Sequence, residues 1–156
     1  MRRDYDPRVR ALGFDFGRKR IGVAVSDATG TLARPLTVLP GGRADTIEQA
    51  ISLVTTLTNE EDGLAAVVIG LPRRLDGSPH DLAAEAQAFA ASLAARISVP
   101  IVYQDERLSS HEAEARLSHT HRSWRSRKAR LDAAAAAVIL QDYLDAHRGP
   151  ASPDAP

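Results

Sequence analysis

The sequence predicts an α/β fold in which a mixed five-stranded sheet is flanked by helices. Three observations predict it. Residues 12–26 alternate apolar with small or polar positions at period two on both sides of a Gly-bearing turn, the pattern of an antiparallel hairpin. Two later runs, 64–70 and 101–103, are short and continuously apolar, as strands covered on both faces are. Stretches of helical period separate those runs, so strands and helices alternate after the first three strands.

In chain order, the first strand is expected over residues 9–16 and the second over 21–26, joined by Gly17-Arg18-Lys19-Arg20. Leu12, Phe14 and Phe16 share one side of the first strand, and Gly13 and Asp15 the other. A turn at Asp27-Ala28-Thr29-Gly30 leads to a third strand over 33–39, which Pro35 assigns to a sheet edge because proline cannot donate to a ladder. After the break at Pro40-Gly41-Gly42, Asp45 and Glu48 form a capping-box pair for a helix whose stripe is Ile47, Ile51, Val54 and Leu57. The run 64–70 is the fourth strand, and residues 71–77 a loop. Ser78 and Pro79 suit the N-cap and N1 positions of a second helix with Leu82, Ala86, Phe89 and Leu93 on one face. Residues 101–103 form the fifth strand, with Glu106 just past its end. Ser109 and Glu112 form a second capping box, opening a helix to about residue 117. Residues 118–130 are polar and basic, and the last helix is expected from near Leu131-Asp132 to about 146.

The length of 156 residues suits one domain, expected over residues 9–147 between a flexible arm (1–8) and a Gly/Pro/Ala-rich disordered tail (148–156). A 44% hydrophobic and 26% charged composition is that of a soluble globular protein. Formal net charge is zero, so a case for a polyanionic partner must come from local clustering. The absence of cysteine excludes disulfides, thiolate catalysis and Cys-based zinc sites. The charged first eight residues read as neither a signal peptide nor a membrane anchor, and a cytoplasmic location is the default expectation.

Three carboxylates stand out. Asp15 ends an otherwise apolar strand, where burial demands a cation, a donor or a metal. Glu106 follows the last strand, at the end where open α/β sheets build their sites. Asp132 lies near the start of the last helix. Each also has an ordinary role: Asp beside Gly orders turns, and an acid in a first helical turn complements the dipole. If the three converge on one sheet edge, all-oxygen ligands select Mg²⁺ or Mn²⁺, and a two-metal site of that kind cleaves phosphodiesters.

Charge patterning points the same way. Between Arg107 and Arg130 stand seven basic residues (Arg107, Arg116, Arg122, Arg125, Arg127, Lys128, Arg130) against only Glu112 and Glu114. Such a segment between two candidate ligands suits a polyanion lying across them. Trp124, the one tryptophan, could stack on a base or close over the core, and His119 and His121 read as loop residues. Arg18, Lys19 and Arg20 place a second basic group beside Asp15, and Arg74 a further cation in the loop after the fourth strand.

The sequence resembles the YqgF/RuvX family, whose members carry the names pre-16S rRNA nuclease and Holliday junction resolvase. The resemblance covers about residues 9–146 and rests on four stretches: 13–24 (GFDFGRKRIGVA), Gly70-Leu71-Pro72 with Asp76-Gly77, Asp105-Glu106-Arg107-Leu108-Ser109, and Lys128 through Asp132 into residues 134–143. It implies an RNase H-like fold and metal-dependent phosphodiester cleavage, with the family's three acids at Asp15, Glu106 and Asp132. Three positions depart from the family pattern: Arg18 replaces a small polar residue, Arg74 stands near the usual Asn, and Ala129 follows Lys128 where a second lysine is usual.

The leading expectation is a nuclease acting on structured RNA in 5′-end maturation of pre-16S rRNA, as a monomer or homodimer. The alternative is a resolvase acting on branched DNA, with single-stranded DNA also a conceivable ligand. Two other classes are weighed against these. An actin-like kinase also has an Asp- and Gly-bearing phosphate hairpin, but closes two domains around its nucleotide. A non-catalytic module would bind nucleic acid and cleave nothing. The triplet Asp15-Phe16-Gly17 matches a kinase motif by chance, because no Gly-rich loop, strand lysine or catalytic loop accompanies it.

Overall fold

Alternation of large and small residues along the first two strands gives this protein a sheet with two unlike faces. The computed structural model describes residues 10–72, 82–106 and 124–147, and for Glu106 and residues 124–128 the backbone alone. Strands β1 (Ala11–Asp15), β2 (Arg20–Ser26) and β3 (Ala33–Pro40) form an antiparallel meander. Strands β4 (Ala66–Pro72) and β5 (Ile101–Glu106) join it in parallel, in the order β3-β2-β1-β4-β5. Helices α1 (Thr46–Thr58), α2 (Ala83–Ala94) and α3 (Trp124–His147) complete the described fold.

On one face Leu12, Phe14, Ile21, Val23, Val25, Val67 and Ile69 pack with Val54 and Leu57 of α1 and Phe89 and Leu93 of α2. Phe14 meets Phe89 edge-on at 5.7 Å, a favourable quadrupole geometry. On the other face Ala11, Ala24 and Val68 meet Ala136, Ile139, Leu140 and Leu144 of α3. Small residues on that face let α3 lie close to the sheet.

β3 is an edge strand, as Pro35 predicts, and the β2–β3 register shifts at Val23/Ala24, where Pro35 pairs with Ala24. Several boundaries differ from expectation. β5 runs on through Gln104-Asp105-Glu106, so Glu106 is the strand's last residue and not one beyond it. Backbone pairing with Gly70, Leu71 and Pro72 of β4 carries this polar end. The capping box at Asp45 does not form: Asp45 makes no side-chain cap, and Glu48 pairs with Arg96 instead. α3 begins at Trp124, seven residues before the expected start, so Asp132 lies in its third turn and cannot serve as a first-turn dipole acid. Arg, Lys and Ala are strong helix formers, and residues 124–130 need no apolar stripe to be helical. The expected start at Ser78-Pro79, the helix opened by Ser109, the arm and the tail lie outside the described residues.

Arg10 is a structural residue that hydrophobic patterning does not reveal. Its guanidinium donates to the carbonyls of Leu57 (2.8 Å) and Gly63 (2.8 Å) and to Glu60 (3.1 Å), tying the end of α1 to the start of β1. Only 11% of its side chain is exposed, so truncation removes the Arg10 donor from both carbonyls, although Leu57 keeps the Glu60 N–H at 3.2 Å. Arg10→Ala is expected to cost about 2–4 kcal/mol, read as a lower urea midpoint at unchanged slope.

Asp27 orders the β2–β3 turn. Its carboxylate accepts from the Thr29 hydroxyl and from the backbone N–H groups of Thr31 (2.8 Å) and Leu32 (2.9 Å). The Thr29 hydroxyl first, then the Leu32 N–H, lower its pKa from 3.8 to about 2. A carboxylate lowered in the fold stabilises it above the unfolded pKa and loses that contribution as pH falls through the folded value. The melting-temperature advantage of wild type over Asp27→Asn is therefore predicted at neutral pH and to shrink between about pH 4 and 2.

Candidate functional site

Strand ends, a close helix and a tight turn meet at one edge of the sheet. β1, β4 and β5 are parallel, so their C-terminal ends fall together. Asp15 ends β1 and is half-buried. Its cross-strand partner is Gly22 on β2. Paired residues of an antiparallel ladder share a face, and Ala11 places this face of β1 toward α3.

Gly22 is the position that admits the helix. A Cβ there would stand 1.9 Å from the backbone oxygen of Asp132 and 2.5 Å from its carbonyl carbon. The backbone of α3 therefore rests directly on Gly22, beside Asp15. In this way two acidic residues 117 positions apart in the chain both border a single glycine, Asp15 by strand pairing and Asp132 through its backbone carbonyl.

Asp132 is held by Arg20, the first residue of β2, whose Nε donates to Oδ2 at 2.5 Å. Both side chains are about a third exposed (35% and 29%). Glu106 ends β5 and pairs in register with Pro72 of β4, the strand between β5 and β1. It has the strand parity of Val102, through which β5 joins the cluster under α3. On β4, Gly70 has the same parity as Val68 of that cluster and brings no side chain into the interval.

The turn between β1 and β2 is clamped from outside. Gly41 donates its N–H to the Lys19 carbonyl at 2.8 Å, and a Cβ on Gly41 would lie 2.7 Å from the Arg18 carbonyl oxygen. Patterning marks Pro40-Gly41-Gly42 only as a break, yet this segment is the wall of the turn. The trace of this contact in the sequence is the small-residue set Gly13, Gly22 and Ala24 on one face of two paired strands, which admits a close helix without saying which helix it is or which glycine seats it.

The cations read from the sequence fall into four groups. Arg18 pairs with Glu85 of α2 at 2.6 Å, and Arg20 with Asp132. The Arg18 guanidinium, by hydrogen bond first and charge second, lowers the Glu85 pKa. Lys19 is exposed at the turn. Arg130 is exposed on α3, where it lines a groove of about 470 Å³ with Ala129, Ala133, Ala134 and residues 35–38 of β3. Trp124, Arg125, Arg127 and Lys128 belong to the first turns of α3, with Lys128 one turn before Asp132. Arg74, Arg107 and Arg122 lie outside the described residues.

Among the described residues no group of three or more His, Cys, Asp or Glu side chains is placed to hold a metal ion. The two acids brought together, Asp15 and Asp132, offer hard oxygen donors, which suit Mg²⁺ or Mn²⁺ and not a soft metal. No described helix is long and apolar enough to cross a membrane.

Comparison with known proteins follows from this geometry. A family profile described as "RuvX: Holliday junction resolvase" matches residues 9–146. A protein of Anaeromyxobacter sp. (strain Fw109-5) named "Putative pre-16S rRNA nuclease" is 47% identical over 138 residues, covering 88% of this chain and 97% of its own. One of Burkholderia ambifaria (strain MC40-6) with the same name is 42% identical over 134 residues, covering 86% and 87%. The solved structure of T. thermophilus RuvC in complex with a Holliday junction substrate superposes with a TM-score of 0.52 at 16% identity, covering 91% of this chain and 97% of that one. The fowlpox virus Holliday junction resolvase gives 0.51 at 12% identity, covering 88% and 99%. At these identities the likeness to the solved structures is one of fold.

Proposed function

The chain belongs to the RuvX family, and from that premise we propose that it is a metal-dependent nuclease that hydrolyses phosphodiester bonds in structured RNA, in 5′-end maturation of pre-16S rRNA in the cytoplasm. The observation that carries this reading is the meeting of Asp15 and Asp132 across Gly22 at the sheet edge where β5 ends in Glu106. A turn accounts for Asp15 alone, whereas Asp132, in the third turn of α3, is neither a cap nor a first-turn dipole acid, and no such role explains two acidic residues brought to one glycine by a seated helix.

In this reading Asp15, Glu106 and Asp132 hold Mg²⁺ or Mn²⁺ in a two-metal arrangement. When bound, such ions polarise the scissile phosphate and lower the pKa of an attacking water. The rest is done by the chain itself. Lys19 at the turn and Arg130 on α3, two residues before Asp132, supply exposed positive charge. Lys128, with Arg125 and Arg127, extends that charge along the start of α3. Backbone phosphates would lie against these cations and position the strand without reading its sequence. Arg74, Arg107, Arg122 and Trp124 complete the proposed contact surface. Arg18, tied to Glu85, would join it only by leaving that pair.

A second substrate is favoured by a specific observation: the family profile and the fowlpox virus structure carry Holliday junction resolvase in their descriptions, and the T. thermophilus RuvC structure is described as a complex with a Holliday junction substrate. The test is a panel of end-labelled substrates: a 5′-extended 16S rRNA precursor fragment, unstructured RNA and a four-way DNA junction, each with Mg²⁺, Mn²⁺ or EDTA. Metal-dependent cleavage of the precursor ahead of the others is expected. Faster cleavage of the junction would move the substrate to branched DNA. Cleavage of none would reject the nuclease reading.

A further inference from the structure

Arg20 stands in the wrong place for a residue whose only task is to meet substrate. It begins β2, next to the turn, and its guanidinium is already on Asp132. The contact is made by Nε alone, on Oδ2 alone. Among the described residues no hydrogen bond reaches Oδ1 of Asp132. At 35% and 29% exposure the pair is part-buried but reached by solvent, so screening limits what it adds to stability. The backbone of Asp132 is already fixed by the seating of α3 on Gly22. A purely structural purpose for the pair is therefore weak.

We propose that Arg20 is a positioning residue that serves as the exchangeable counter-ion of Asp132: it neutralises the carboxylate while no cation is bound, competes with a divalent cation for it, and on release turns its guanidinium to a substrate phosphate. The proposal rests on the metal-site reading above. Its basis is electrostatic. Asp15 pairs with Gly22 and the backbone of Asp132 rests on the same glycine, so two negative charges belong to one small region, and like charges there disfavour each other unless a positive charge is present. Arg20 supplies that charge from a side chain long enough to leave. A cation taking Asp132 makes the guanidinium redundant and repels it. A phosphate arriving at the same edge gives it a new bidentate partner. Cation and nucleic acid then favour each other's binding, and by linkage the effect is mutual.

Removing Arg20 has two opposite effects on cation binding. It frees Asp132 from one hydrogen bond, which costs order in a short side chain with few rotamers. It also removes a unit positive charge from beside the cation. With the helix backbone already fixed, the charge effect outweighs the ordering effect. Removal should therefore tighten cation binding, the reverse of what loss of a structural support would do.

The test is titration of Mn²⁺ into the full chain, followed by the EPR signal of free Mn²⁺, for wild type, Arg20→Gln, Arg20→Lys and Asp15→Asn. Arg20→Gln is expected to bind Mn²⁺ about three- to tenfold more tightly than wild type, and Arg20→Lys to stay near wild type because it keeps the charge. A phosphorothioate RNA oligonucleotide should tighten Mn²⁺ binding in wild type and do so less in Arg20→Gln. If Gln at this position impairs folding, Arg20→Met keeps the stem without the charge and gives the same readout. Unchanged or weaker Mn²⁺ binding in Arg20→Gln and Arg20→Met, with binding still dependent on Asp15, would overturn the counter-ion role alone. Mn²⁺ binding that is absent from wild type, or equal in Asp15→Asn, would overturn the metal-site reading and this proposal with it.

Discussion

Replacing Gly22 with alanine is expected to destabilise the protein by at least about 3 kcal/mol and to reduce cleavage by on the order of 100-fold. The added methyl carbon would stand 1.9 Å from the Asp132 carbonyl oxygen, inside any permitted contact. Neither neighbour can yield by a rotamer change, because both are backbone. Gly22 sits within β2, paired to Asp15, so the strand cannot retreat without breaking its ladder. The helix must lift instead, by about 1.5 Å to reach ordinary contact at 3.4 Å. Such a lift also opens the layer in which Ala136, Ile139 and Leu140 meet the sheet. Thermal melts and single-turnover cleavage of the same preparation separate the two effects. A variant as stable and as active as wild type would show that α3 does not depend on this seat.

Asp15→Asn is expected to lower the single-turnover cleavage rate by about 10³-fold, close to 4 kcal/mol in barrier, while the melting temperature changes little. The substitution keeps the shape and one acceptor oxygen, turns the other into an NH2 donor, and removes the charge that would hold a cation. Asp132→Asn is expected to match it in rate. The double variant should be scarcely worse than either single one, because groups that hold the same ions fail together. Additive losses would mean that the two acids act separately.

Much of this was legible in the sequence. Period-two alternation around Gly17 assigned Leu12 and Phe14 to one face and Asp15 to the other, and the burial of Leu12 and Phe14 agrees. Pro35 marked the edge strand, and the buried runs marked the two parallel strands. What was not legible has physical reasons. The first turns of α3 lack an apolar stripe, so hydrophobic period cannot find them, although their helix propensity is good. The end of β5 is polar, and only its pairing with β4 makes it strand. Glu48 had two possible uses, and the local one lost to Arg96, 48 residues away. The seat of α3 on Gly22 is a contact between residues 110 apart, which no local pattern encodes. Asp15 and Asp132 could thus be named as candidates from the sequence, whereas the glycine that joins them could not.

The most direct test of the central claim, that these acids form one cation site, is anomalous diffraction from crystals soaked in Mn²⁺ and measured near the manganese absorption edge. The account predicts an anomalous peak between the carboxylates of Asp15 and Asp132, absent from Asp15→Asn crystals treated identically. No peak at these residues, or a peak there that survives Asp15→Asn, would contradict it.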